Sequence, residues 1–349
     1  MQAYPLTPIV AHCPVCYGQE ALLLYSVDTH QAARHVVPER ADDQHLSQVV
    51  AHIGKLWQGS QCRFVRCHDC GFCFAVPYVS GDARLYSMVF ADANYAPWRW
   101  EHQMTYDALR RRMDSTERPA VKLLEIGAGE GSFVKRVSPS LLPKENVFCL
   151  EYSDTGAHEI ERYGIECSRS DIRDAEFFEH QHRFDAICMF HVLEHMDDLD
   201  NVFRSLGRLS NEGADLFIAV PNGKQRELYD RCGAIQDVPP THIARWNRRS
   251  FEIMAERHGW VLVRHEIEPE RYVSRLRGFL QYQAGKADLA RPLTRPLRKI
   301  RSRAVRRLAL CAILPICAIL SLRGIIALTA RDAGVSQYAH LQRGAIRTV

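Results

Sequence analysis

One stretch constrains this chain more than any other: LLEIGAGEGSF at residues 123–133, an apolar run holding one carboxylate, then three glycines at alternate positions. Glycine costs backbone entropy on folding, so Gly127, Gly129 and Gly131 ask for a positive φ, a close neighbour, or both. The flanking sequence shows where they sit. VKLLEIG (121–127), NVFCLEYS (146–153), IECSRSD (165–171), FDAICMF (184–190), ADLFIAVPN (214–222) and WVLVRHEIEP (260–269) read as strands. Helices fall between them, the clearest over 198–209 with Leu199, Val202, Phe203, Leu206 and Leu209 on one face. Strands alternating with helices predict a doubly wound parallel sheet, which binds ligands at the carboxyl ends of its strands.

The glycines stand at the end of the first strand and Glu151 at the end of the second, where a carboxylate can accept both hydroxyls of a ribose. Dinucleotide dehydrogenases space their glycines GxGxxG, and in that register the third would fall at Ser132. Here the spacing is GxGxG, preceded by Glu125. ExGxGxG after strand one, Glu151 after strand two, Asp171 after strand three and FHVLEH after strand four together resemble the class I S-adenosylmethionine-dependent methyltransferase superfamily, over roughly residues 120–270.

The resemblance implies an α/β fold with a Rossmann-like seven-stranded sheet and S-adenosyl-L-methionine as cofactor. It implies that Glu125, Gly127, Ala128, Gly129 and Gly131 form the loop against the methionine moiety and ribose. Glu151 would hold the ribose hydroxyls and Tyr152 flank the adenine. Asp171 would accept from the adenine amino group, with Ile172 packed on the ring and Phe190 and His191 beneath the sulfonium. The HVLEH segment is also similar to that of ubiquinone-type O-methyltransferases, where it carries a divalent cation. The first position there is acidic; here it is His191, which argues against a cation held in that way. His195 shapes the pocket or does acid–base work. PPTHIARW resembles the acceptor-pocket region of small-molecule and sugar methyltransferases, and His242 within it is the candidate general base, or else a helix cap.

Ahead of this domain stand Cys13-Pro-Val-Cys16 and Cys67-His-Asp-Cys70. Each turn can point two thiolates at one ion, and the four complete a tetrahedral structural zinc site with no open position. Cys62 and Cys73 are spare candidates. Residues 1–80 are therefore expected to be a zinc-ribbon-like module, with 26–61 inserted between the two turns. The module resembles that of sugar C-methyltransferases, which turns the acceptor expectation toward carbohydrates. Residues 81–119, with Tyr95, Trp98, Trp100 and His102, read as a linker or lid whose tryptophans pack the two domains together.

The net charge of +4 hides an asymmetry: residues 271–307 carry twelve Lys or Arg and one acid. They lead into an uncharged apolar stretch at 308–322, interrupted by Pro315, which is too short and kinked for a simple membrane span. The insertion 271–322 is expected to attach to an anionic membrane surface, to pack on the protein, or, least, to cross. Residues 323–332 are expected to be the last strand, antiparallel to 260–269, so the methyltransferase domain is 120–270 plus 323–332. MQAYPLTPIVAHCPVC lacks the basic and apolar regions of a signal peptide, which predicts a cytoplasmic protein, peripheral at the membrane's inner face.

The function expected is methyl transfer to a small-molecule or glycan acceptor, a sugar or lipid-linked saccharide. The alternatives are an RNA or protein methyltransferase and a non-catalytic scaffold. No nucleic-acid-reading module accompanies the arginines.

Overall fold

The computed structural model describes residues 7–37, 42–89, 98–115, 121–174, 183–231, 235, 237–269, 272–285 and 334–344, with scattered positions between 300 and 312. Two sheets organise it. The larger contains β5 (Leu123–Ile126), β6 (Val147–Leu150), β7 (Glu166–Ser168), β8 (Phe184–Phe190), β9 (Ser210–Pro221), β11 (Trp260–Ile267) and β12 (Ser336–Arg343), in the order β11-β12-β9-β8-β5-β6-β7. Six strands run in the same direction, and β12 runs antiparallel to them between β9 and β11. β5 and β8 are apolar nearly throughout and buried at every position, as expected of central parallel strands covered on both faces. The order reverses between β5 and β8, so their carboxyl ends open the crevice where this kind of sheet holds its ligand.

The last strand is Ser336–Arg343 rather than 323–332, which lie outside the described residues. The reason is burial. Ser336 to Ala339 and Leu341 are all buried, and this segment carries small and polar residues that bond across the sheet, as Gln337 Nε2 does to the Pro221 and Trp246 carbonyls. The more apolar IIALTA had looked the better strand. The boundaries at 81–119 also shift. The helix Trp100–Ser115 buries Leu109 against the large sheet, with Trp98 and Trp100 packed on the same core. It packs on the large sheet, and the tryptophans are packing residues. Tyr95 and most of 271–322 lie outside the described residues.

The smaller sheet has the order β1-β2-β3-β4-β10, from Thr7–Val10, Glu20–Asp28, Gln61–Cys67, Cys73–Val76 and Ala244–Arg245. The expected insertion is a helical pair, Thr29–Val36 and Asp43–Trp57, that buries Val49, Ile53 and Trp57 on the ribbon. Asp28 caps the first helix through a reciprocal bond with Gln31, and Asp42 caps the second. The fifth strand comes from the PPTHIARW segment of the other domain: Ala244 pairs with Phe74 and Arg245 with Cys73. The two domains are therefore joined by backbone hydrogen bonding, and Trp246 seals the joint edge-on to Phe72, ring centroids 5.0 Å apart.

Candidate active site and zinc centre

The glycine loop follows β5 directly. Gly127, Gly129 and Gly131 have φ of +70°, +56° and +77°, in the left-handed region that favours glycine. Close neighbours add a second reason. A Cβ on Gly127 would sit 2.4 Å from Val192 Cγ2, and one on Gly131 would sit 3.0 Å from Ile160. The segment after β8 is thus pressed against the loop after β5.

Glu151 lies under this loop, 8% exposed, accepting from the backbone N–H of Gly129 at 2.6 Å and of Ser153 at 2.8 Å. Burial raises its pKa against those bonds. Glu125 is fully enclosed, and burial pushes its carboxyl up to about 8. Asp171 ends the third strand's loop, where it accepts from the Tyr152 hydroxyl and from Arg173, which bridges on to Asp197. Tyr152 is half exposed beside it. Ile172 is 1% exposed and belongs to the core, so it presents no face to the cleft in this conformation.

Phe190 ends β8 among aromatic rings, 4.7 Å from His102 and 5.0 Å from Phe133 between centroids. His191 follows with φ +57°, and its Nε2 meets the Glu101 carboxylate at 3.0 Å while Nδ1 lies 3.4 Å from Glu194. Burial alone would lower its pKa, but the two carboxylates outweigh that and raise it to about 9. Glu101 is 1% exposed and was not singled out in the sequence; nothing in WEH distinguishes it from a surface helix residue.

His195 and His242, 46 and more residues apart by chain, stand ring to ring at 4.6 Å between centroids. His195 Nδ1 donates to the Thr241 carbonyl at 2.5 Å, and His242 Nδ1 to Asp237 at 2.9 Å. Burial lowers the His195 pKa to about 4, so the ring is neutral near pH 7. Asp237 is enclosed, and although burial alone would raise its pKa, Arg245 at 2.6 Å and Arg226 hold it well below the carboxylate range. Arg245 in turn lies over the Phe64 ring of the ribbon. The sequence pointed to both histidines but not to Glu194, Asp237 or Arg245, whose roles depend on contacts between distant segments.

The backbone around this group crosses between domains. Ile243 N–H donates to the Glu194 carbonyl, Ala75 N–H to the Ile243 carbonyl and Gly81 N–H to the Pro240 carbonyl, all at 2.9–3.0 Å. Tyr78 and Ser80 of the ribbon side bond Met196 and Asp197.

At the far end of the ribbon, the thiols of Cys13, Cys16, Cys67 and Cys70 converge within 4.8 Å of one another. The cross-pairs Cys13–Cys70 and Cys16–Cys67 are 3.6 and 3.4 Å apart, close to the spacing of about 3.8 Å that tetrahedral Zn–S bonds of about 2.3 Å require. Each turn is followed by a left-handed residue, Tyr17 and Gly71, which lets the chain curl round a common centre. Four convergent thiols are a soft donor set that fits zinc, whereas Cys62 and Cys73 lie apart from them.

Residues 99–265 match the family model described as a methyltransferase domain. No curated protein matches. Among solved structures, a SAM-dependent methyltransferase from Archaeoglobus fulgidus is 16% identical, covering 69% of this chain and 93% of that one, with a TM-score of 0.42. Phosphoethanolamine N-methyltransferase 2 of Haemonchus contortus, in complex with S-adenosyl-L-methionine, is 15% identical over 75% of this chain and 57% of that one, TM-score 0.43. A coclaurine N-methyltransferase bound to N-methylheliamine and SAH is 15% identical over 69% and 70%, TM-score 0.42. The glycine loop, the acid after each of the next two strands and the strand order all agree with the family match, and residues 99–265 form a methyltransferase domain.

Proposed function

We propose that this protein methylates a small-molecule or glycan acceptor, a sugar or lipid-linked saccharide, held where the methyltransferase domain and the zinc ribbon meet. The observation that carries this is the placement of Glu194, His195 and His242. They lie on the segment packed against Gly127 and just ahead of the strand shared with the ribbon, which gives a single cleft a cofactor side and a polar acceptor side. S-adenosylmethionine supplies the electrophilic methyl on its sulfonium.

The chain's own residues do the rest. Gly127, Gly129 and Gly131 leave room for the cofactor's approach, Glu151 turns its remaining lone pairs to the ribose hydroxyls, and Asp171 with Tyr152 takes the adenine edge. Ile172 supports that edge from within the core, while Phe190 and His191 floor the site. The methyl passes in line from sulfur to the acceptor atom, sulfur keeps the bonding pair, and the acceptor's proton is lost on the side of Glu194, His195 and His242. Proximity and orientation are the main contributions of such a site. The preference for carbohydrate rests on the likeness of the N-terminal module to that of sugar C-methyltransferases. Attachment of the basic segment 271–307 to an anionic leaflet would bring the cleft to lipid-linked acceptors. No helix among the described residues is long and apolar enough to cross a membrane.

The test is transfer of labelled methyl from S-adenosylmethionine to a panel of nucleotide sugars, lipid-linked saccharides, RNA and protein. Labelling of a saccharide that disappears with Glu151→Ala supports the proposal. Labelling confined to RNA or protein overturns the acceptor class, and no labelling anywhere favours a scaffold.

A further inference from the structure

Glu194 is 1% exposed, and neither of its carboxylate oxygens accepts a hydrogen bond among the described residues. A buried carboxylate without such partners is costly unless a cation or a proton answers it. Its nearest nitrogen neighbours are His191 Nδ1 at 3.4 Å and His195 Nε2 at 3.9 Å. Beside it the two imidazoles are held in one orientation each. A carbonyl and a carboxylate can only accept, so the Nδ1 of His195 and of His242 both donate, which leaves Nε2 of each ring as the atom a ligand would meet. Ligand atoms of Glu194, His195 and His242 lie within 4.8 Å of one another. The two histidine side chains are 24% and 27% exposed, so the group opens toward the cleft on one side.

We infer that Glu194, His195 and His242 form a binding site for one divalent transition-metal cation, separate from the four-cysteine centre, with its open side toward the acceptor. Two imidazoles and one carboxylate suit zinc, iron, cobalt or nickel ions better than magnesium or calcium. Each imidazole already has the anchored N–H that metal-ligating histidines use to fix their rings. The ligand atoms would need to close to about 3–3.5 Å for metal bonds of about 2.1 Å, a small movement for side chains at an open cleft.

This is not the site that the HVLEH segment alone could have built. His191 is turned to Glu101, and the third ligand comes instead from the segment just ahead of the strand shared with the cysteine ribbon. The cation's role rests on the proposed acceptor cleft: it would hold an acceptor oxygen and make its proton easier to lose, leaving His242 as a ligand rather than the base. The binding itself stands without that reading.

The test uses the full chain with its cysteine centre filled by zinc, dialysed against Co²⁺ and analysed for both metals. The expected result is one zinc and one cobalt per chain, the cobalt showing weak d–d bands without thiolate charge transfer. His242→Ala should weaken cobalt binding at least roughly tenfold and leave zinc content and melting temperature in place. Glu194→Gln should do the same, and His242, being partly exposed, decides the matter if that variant fails to fold. Cobalt uptake that carries thiolate charge transfer, no second equivalent, or wild-type cobalt affinity in His242→Ala would each overturn the inference. S-adenosylhomocysteine binding in the same samples reports separately on methyl transfer.

Discussion

The cofactor side of the cleft is assembled from successive strand ends. Gly127 to Gly131 follow β5, Glu151 follows β6 and Asp171 follows β7, each placed by the register of a parallel sheet. The acceptor side is assembled from segments far apart in the chain. Glu194 and His195 follow β8, His242 lies nearly fifty residues on, and both are tied through Ile243 to Ala75 of the ribbon. A sheet specifies its own strand ends wherever the apolar pattern is right. The proposed acceptor side would exist only while a second domain holds it, so the four-cysteine centre, whose Cys70 carbonyl accepts from Asn247, would become part of what positions His242.

That contrast can be broken most severely by removing zinc. Structural zinc stabilises small modules by about 10–16 kcal/mol, so chelation or Cys67→Ser with Cys70→Ser should unfold the ribbon and free the PPTHIARW strand. Limited proteolysis should then cut within residues 1–80 and near 237–246, while S-adenosylhomocysteine binding falls far less than methyl transfer. Equal loss of both would show that the two sides are not built independently.

A smaller effect belongs to the cofactor side alone. Burial raises Glu125 from an ordinary 4.5 to about 8, so the folded chain keeps a proton that the unfolded chain releases between those values. Stability should therefore fall as pH rises from about 4.5 to about 8. Glu125→Gln should remove that slope and melt higher than wild type at pH 9, by up to a few kcal/mol, with the two converging near pH 4.5. Parallel stability profiles would exclude a buried charge beneath the glycine loop.

The smallest effect sharpens the acceptor side. Asp237→Asn keeps its shape but weakens the hold on the His242 ring, and should lower kcat about 10–100-fold with S-adenosylhomocysteine affinity unchanged. Asp230 still faces Arg245 in that variant, which limits the loss of stability. A change in cofactor affinity instead of kcat would move Asp237 to the other side of the contrast.

The same division explains what could be read from the residues alone. The alternation of strands and helices placed β8 at its observed bounds and brought the cofactor residues to the right strand ends, because period and register are local properties. The two CxxC turns were equally legible, since each spacing points two thiols the same way, and the pairing of β2 with β3 then brings the turns together. The final strand was misplaced because the buried segment Ser336–Arg343 is less apolar than its neighbour and is stabilised by bonds across the sheet. Glu101, Glu194, Asp237 and Arg245 looked like ordinary charged residues. Glu101 meets His191 90 positions on, the Glu194 carbonyl accepts from Ile243, and the Asp237 carbonyl accepts from Tyr25 212 positions back, contacts that no local pattern reports.

The most direct measurement is calorimetric titration of the zinc-loaded protein with S-adenosylhomocysteine, beside Glu151→Ala. Two hydrogen bonds donated by the ribose hydroxyls to a buried carboxylate are worth about 3 kcal/mol, so wild type should bind at micromolar concentration and Glu151→Ala roughly a hundredfold more weakly. No binding by folded wild type, or equal binding by Glu151→Ala, would contradict the account.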